Sequence, residues 1–309
     1  MDAYSASQEC EKDAAPGGAG SMDLRRVLAA TRKGQWSIHE FDWDAPLQGV
    51  GGLSKRELRE AGLMIVFTAG LEFQAAEIFR LCAHFVSDKQ ARQIYELFVI
   101  DEIRHAQAEL LLAKRYGVGW KDLPFVTRLM FRGLRGMWEP PNRLIHEFTS
   151  AQIVLFEIAL DSLLIPALKS RIKDPLQDEV FRRIDLDESR HLAMDYWLLE
   201  RKGRGVDIVS GRPSPADYRR LLPVLPLTPV GFAALSREAK TMQRQINKPE
   251  QMEKYWARVK AIRERAPLAA SLPTFKRGVK MQRELQRAMM TLAGIKQSEV
   301  AAEESSAIS

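Results

Sequence analysis

The chain has 309 residues, 46% hydrophobic and 28% charged, a balance that allows one large globular domain, or one domain with an appendage, around a sizeable core. Only two cysteines occur, Cys10 and Cys82, which excludes a disulfide framework and any cysteine-built iron or zinc site and suits a reducing cytoplasm. The net charge of +6 is too modest to single out nucleic acid as a partner.

In chain order, residues 1–20 are acidic and lack the apolar run of a secretory signal. Small and polar residues such as Pro16, Gly17 and Gly18 predict a disordered leader over 1–24. From 54 to 115 the text is rich in Leu, Ala, Glu and Arg, with apolar residues at spacings of three and four, as helices require. Ser54 is placed to cap that region, with Glu57 completing a capping box, and Gly117 and Gly119 close it. A short helix is expected between Pro124 and Pro141, where the Pro140-Pro141 pair ends any helix. A long apolar helix follows over 142–169, then another over 175–202 that stops near Gly203 and Gly205. The stretch 151–168 approaches the length of a membrane span, but Glu157 and Asp161 interrupt it and mark it as a buried core helix. Residues 213–229 are proline-rich and read as a linker, and further helices are expected over 229–246, 249–265 and 273–292. No window alternates as a strand would. The organisation is therefore a leader (1–24), a helical bundle (25–205), a helical extension (206–297) and a polar tail (298–309). Between Phe232 and Lys296 stand fifteen Lys or Arg against five Asp or Glu. This basic extension is a surface for a membrane, an acidic protein or, less expected, nucleic acid, or an ordinary solvated face.

Two segments match. Asp101-Glu102-Ile103-Arg104-His105 and Asp187-Glu188-Ser189-Arg190-His191 both read Asp-Glu-x-Arg-His. On a helix, positions i and i+3 share a face, so Glu102 with His105, and Glu188 with His191, can each hold a metal ion, the Glu-x-x-His arrangement of di-metal carboxylate bundles. Glu72 lies thirty residues before Glu102, and Glu157 thirty-one before Glu188. Both sit in apolar helical text, where an ionised carboxylate is expensive unless paired or metal-bound. Two antiparallel helices with a short joint bring residues thirty apart to the same height, because each arm covers roughly fifteen residues, about 22 Å. The chain thus carries a degenerate repeat: Glu72, Glu102 and His105, then Glu157, Glu188 and His191. His39, His84 and His146 have no such motif around them.

This pattern resembles the ferritin-like di-iron superfamily. The doubled Asp-Glu-x-Arg-His is most similar to its oxygen-activating branch: the hydroxylase subunits of bacterial multicomponent monooxygenases, ribonucleotide reductase small subunits and related ligand-binding oxidases. The resemblance covers residues 35–201. Gln35-Trp36 followed by Phe41-Asp42-Trp43-Asp44 is similar to the segment that leads into the bundle in those proteins. The resemblance implies an all-α, ferritin-like four-helix bundle with additional C-terminal helices, and two iron ions, manganese or a mixed pair being alternatives. Glu72, Glu102, His105, Glu157, Glu188 and His191 are then the ligands. Asp101 and Asp187 orient the histidines, and Arg104 and Arg190 pair with those outer carboxylates. Dioxygen becomes the co-substrate.

The departures are informative. Where reductase subunits keep a radical tyrosine one turn after the first histidine, this chain has Glu109, and the matching position after His191 is Asp195. A tyrosyl radical is not expected. Where some hydroxylases keep a threonine one turn after the third glutamate, this chain has Asp161. Glu109, Asp161 and Asp195 form a candidate hydrogen-bond network or proton path, or else some of them pair with a nearby Arg or Lys. Thr68, Ala75 and Ala76 share the face of Glu72, as room for substrate or as tight helix contacts. The functional expectation is an oxidoreductase that hydroxylates, desaturates or N-oxygenates a small organic substrate. With no Gly-rich nucleotide loop in the sequence, electrons are expected from a separate donor, and a homodimer is compatible with the extension. The alternatives are a ferroxidase or iron-storage protein and a metal-stabilised binding protein.

Overall fold

The protein is described by a computed structural model covering residues 22–135, 137–206, 214–221 and 249–293. Every regular element among these residues is helical. The leader over 1–21, the helix expected over 229–246 and the tail from 298 lie outside the described residues.

Helix α1 (Leu24–Lys33) precedes a 3₁₀ turn (Ile38–Glu40). Two long helices follow, α2 (Lys55–Phe85) and α3 (Lys89–Arg115), then the short α4 (Phe125–Arg135). The next helix begins as α5 (Arg143–Ala159), passes through a π turn (Leu160–Leu164) and continues as α6 (Ile165–Arg171). Helix α7 (Pro175–Gly203) is the fourth long rod. Beyond it come α8 (Pro215–Leu221), inside the stretch read as a linker, and α9 (Pro249–Arg265), α10 (Pro267–Ser271) and α11 (Pro273–Ala293).

Local chemistry fixes the helix ends. Ser54 and Glu57 form the reciprocal capping box that starts α2. The side chains of Asp88, Asn142 and Asp174 accept backbone N–H donors at the starts of α3, α5 and α7. Gly117, at φ 72°, takes the left-handed conformation just past α3. The π turn sits just before Pro166, whose missing N–H removes the bond that would continue a regular α-helix.

Helices α2 and α3 pack along each other, as do α5 and α7; α2 also meets α5, and α3 meets α7. The four rods therefore enclose one interior. The joint between α2 and α3 is only Val86 to Asp88, and that between α6 and α7 only Ile172 to Asp174, so each pair folds back at mid-repeat. Phe79, Tyr95, Phe98, Phe181 and Trp197 are fully buried, and a large apolar side chain so placed contributes roughly 1.5–3 kcal/mol. Gly70 has a specific reason to be glycine: a Cβ there would lie 2.4 Å from the Phe131 ring of α4. Helix α1 lies against α3 and α7, and the C-terminal helices cover the other side, α10 on α7, α11 on α5 and α9 on α5 and the π turn. Two helical stretches, Lys55–Phe85 and Arg143–Lys169, are long and apolar enough to cross a membrane, yet 67% of each apolar window is buried within the protein.

Candidate metal centre

The four rods aim six side chains at one point. Glu72 comes from α2, Glu102 and His105 from α3, Glu157 from α5, and Glu188 and His191 from α7; none is more than 5% exposed. They form two overlapping groups: Glu72, Glu102, His105 and Glu188, and Glu102, Glu157, Glu188 and His191. Within each group the donor atoms lie within 4.8 Å of one another. Glu102 and Glu188 belong to both.

Imidazole nitrogens and carboxylate oxygens stand close together here, and the attraction between them outweighs burial, raises the pKa of both imidazoles and lowers that of the Glu188 carboxyl. His191 Nδ1 is 2.9 Å from Glu102 Oε1 and 3.3 Å from Glu188 Oε2, and His105 Nδ1 is 3.2 Å from Glu188 Oε1. Despite these distances, both Nδ1 atoms and both oxygens of Glu102, Glu157 and Glu188 lack a hydrogen-bond partner, as does Glu72 Oε2. These distances are within hydrogen-bond reach, but the geometry of a hydrogen bond is missing. A buried polar atom left unsatisfied costs about 1–3 kcal/mol. Burial, then the neighbouring charge of Glu188, pushes the Glu102 and Glu157 carboxyls well above the usual range, and burial also raises Glu72. A pair of divalent cations would supply what these atoms lack, so the residues fit such ions.

The outer nitrogens of the histidines are tied crosswise between the two motifs. His105 Nε2 meets Asp187 Oδ2 at 2.9 Å, and His191 Nε2 meets Asp101 Oδ2 at 3.4 Å. Each motif's aspartate thus orients the other motif's histidine and leaves Nδ1 facing the centre. Trp36 Nε1 donates to Asp187 at 2.8 Å, Arg104 at 3.2 Å, and Arg190 donates as well. Burial alone would raise the Asp187 carboxyl, but His105, Arg190 and His191 outweigh it and hold it at about 2. Asp101 accepts from Arg104 and, at 2.7 Å, from Gln35, whose amide oxygen in turn accepts from Arg104 at 2.8 Å. The aromatic backing differs between the halves. Trp36 stacks on His105 with centroids 6.2 Å apart, while Phe98 and Phe79 stand 4.1 and 5.1 Å from His191.

The three further acidic candidates separate. Glu109 is 1% and Asp195 0% exposed, each one turn beyond a histidine, with Glu109 Oε2 and both Asp195 oxygens unpartnered. Asp161 does not join them. It lies in the π turn, and its side chain, 33% exposed, pairs with Arg258 of α9. Of the two readings of these carboxylates, Asp161 takes the ion pair with a nearby arginine, and Glu109 and Asp195 lie buried beside the centre. Thr68, Ala75 and Ala76 are all buried. His39 and His84 are exposed, and His146 is buried away from the six. Tyr95 is buried behind Phe79 and Phe98, and its hydroxyl meets the Met194 carbonyl at 3.3 Å.

Sequence reasoning gave Gln35 and Trp36 no role. Their only signal was membership of an aromatic segment before the bundle, and a loop has no periodicity from which to read a direction. The π turn was missed too, although Pro166 was its visible signal. A surface cleft bordered by Glu77, Arg80, Trp138 and Pro140 includes none of the six residues. The chain matches no protein-family model, no curated protein and no solved structure.

Proposed function

We propose that this chain is a ferritin-like four-helix protein that holds two iron ions and uses them as an oxidoreductase on dioxygen and a small organic substrate. The observation that carries the reading is the pair of overlapping, fully buried donor groups that share Glu102 and Glu188. Four carboxylates, two imidazoles and no thiolate suit iron, or manganese, over softer metals. Glu72 and His105 would serve one ion, Glu157 and His191 the other, with Glu102 and Glu188 between them. Bound iron would supply the electrons that dioxygen activation needs.

The chain's own residues do the rest. Asp101 and Asp187 fix the tautomer and the ring direction of the histidines. Phe79, Phe98 and Trp36 exclude water from the imidazole faces. Burial first of all pushes the Glu109 and Asp195 carboxyls well above the usual range, which favours a proton beside each half of the centre. With glutamate and aspartate at the positions one turn past the histidines, the reading requires no tyrosyl radical. The reaction class is hydroxylation, desaturation or N-oxygenation, with electrons from a separate donor protein; the basic C-terminal helices are the face offered to an acidic partner.

An anaerobic Fe(II) titration followed by oxygen, monitored by optical absorption, tests this. Oxidation that stops after two irons per chain supports the oxygenase. Oxidation that continues into ferric mineral moves the chain to iron storage, and no iron uptake sinks the metal reading.

A further inference from the structure

The C-terminal helices touch the helix that carries Glu157 at its one irregular point. The π turn Leu160–Leu164 begins three residues after Glu157, with the Leu160 N–H shared between the Glu157 and Phe156 carbonyls and the Ile165 N–H reaching back to Leu160. In a regular helix Asp161, four residues after Glu157, would share the face of Glu157 and point at the centre. That would add a further carboxylate to an interior that already holds Glu72, Glu102, Glu157, Glu188, Glu109 and Asp195. Instead the Asp161 side chain is 33% exposed and pairs with Arg258 of α9, with the same guanidinium nitrogen 3.3 Å from Ser162 Oγ.

The contact is more than one ion pair. Ile158, next to Glu157, is fully buried in a cluster with Tyr255, Val259 and Ile262 of α9, and Leu163 of the π turn packs against the same cluster. On the far side of α5, the Gln152 amide donates to the Thr274 carbonyl at 3.1 Å, and Gly278 leaves room for that side chain. The extension therefore grips α5 both before and after Glu157. A π turn inside an α-helix is uncommon and tends to occur at functional sites, and here a second element is built to keep it.

We propose that Arg258 is a positioning residue for the metal centre: by holding Asp161 out of the interior it maintains the π turn and, through it, the register of Glu157. The proposal rests on the di-metal reading for its effect on metal binding, but not for its effect on the backbone. It assigns the C-terminal helices a part in building one half of the centre, the half formed by Glu102, Glu157, Glu188 and His191.

The test compares Arg258→Ala, Asp161→Ala, the double variant and Arg258→Lys with the unaltered full-length protein. Amide hydrogen exchange on the metal-free proteins is the first readout. Arg258→Ala should speed exchange in the 160–166 segment at least tenfold while α3 keeps its protection, and Arg258→Lys should restore most of it. Anaerobic Fe(II) or Co(II) titration is the second. Arg258→Ala should weaken one of the two ions at least tenfold and leave the other unchanged, and Asp161→Ala combined with it should add less than the sum of the two. Unchanged exchange in the π turn, or a uniform loss of thermal stability with both ions bound normally, would overturn the proposal. Failure of the unaltered protein to bind metal would refute the di-metal reading, while the exchange result would still decide whether Arg258 holds the turn.

Discussion

The two halves of the centre are built from the same motif in different frames. Helices α2 and α3 form an uninterrupted hairpin, joined by three residues and capped at both starts by a side chain. Helices α5 and α7 repeat the motif, but α5 breaks into a π turn beside its glutamate and leans on the C-terminal helices. The ligand spacing survives that difference because it is set by the height along each rod, thirty residues out and back. What changes is the environment: Trp36 stacks on His105 and bonds its partner Asp187, whereas Phe79 and Phe98 pack on His191. A duplicated motif thus carries the donors, and non-equivalent surroundings can give the two positions different affinities.

The comparison breaks most directly at the shared glutamates. Glu102→Ala or Glu188→Ala removes a donor from both groups and should abolish most metal binding, read by metal analysis of the purified protein; near-normal content in both variants would refute shared ligation. Metal removal comes next. If ions bind only the folded chain, a thousandfold excess over Kd stabilises it by about 4 kcal/mol, so thermal unfolding with and without Fe(II) or Mn(II) should show a clear fall in Tm for the metal-free protein. The halves are then separated by Glu72→Ala and Glu157→Ala, each expected to lose one ion of two. A smaller, sharper difference is expected in the outer carboxylates. Asp187→Asn and Asp101→Asn should each weaken metal binding about 10- to 100-fold, with Asp187→Asn the larger because it accepts from Trp36, Arg104, Arg190 and His105. Equal effects would mean that the Trp36 bond adds nothing. The smallest expected effect lies in the regular half: Ser54→Ala removes the α2 cap and should cost about 1 kcal/mol in chemical denaturation without altering metal content.

Much of this arrangement was legible in the residues. The helical class, the capping box at Ser54 and the long rods follow from apolar spacing and caps, which are local properties. Glu72 and Glu157 stood out because a carboxylate in apolar helical text needs a partner. The crossing of Asp101 to His191 and Asp187 to His105 was not legible, since the motif places each aspartate and histidine in the same five residues and only the packing of α3 on α7 shows that they exchange partners. The two readings of Asp161 could not be separated for a related reason. A helix of constant pitch puts it near Glu157, whereas its partner Arg258 is brought by the packing of α9 on the π turn, which no local spacing shows. Gln35 lay in a loop, where direction depends on tertiary contacts.

The most direct test of the central claim is anomalous diffraction from crystals grown anaerobically with Fe(II), collected on either side of the iron edge. The account predicts two anomalous peaks per chain, one among Glu72, Glu102, His105 and Glu188 and the other among Glu102, Glu157, Glu188 and His191. No peak inside the four rods, or a single ion held without His105 or His191, would contradict it.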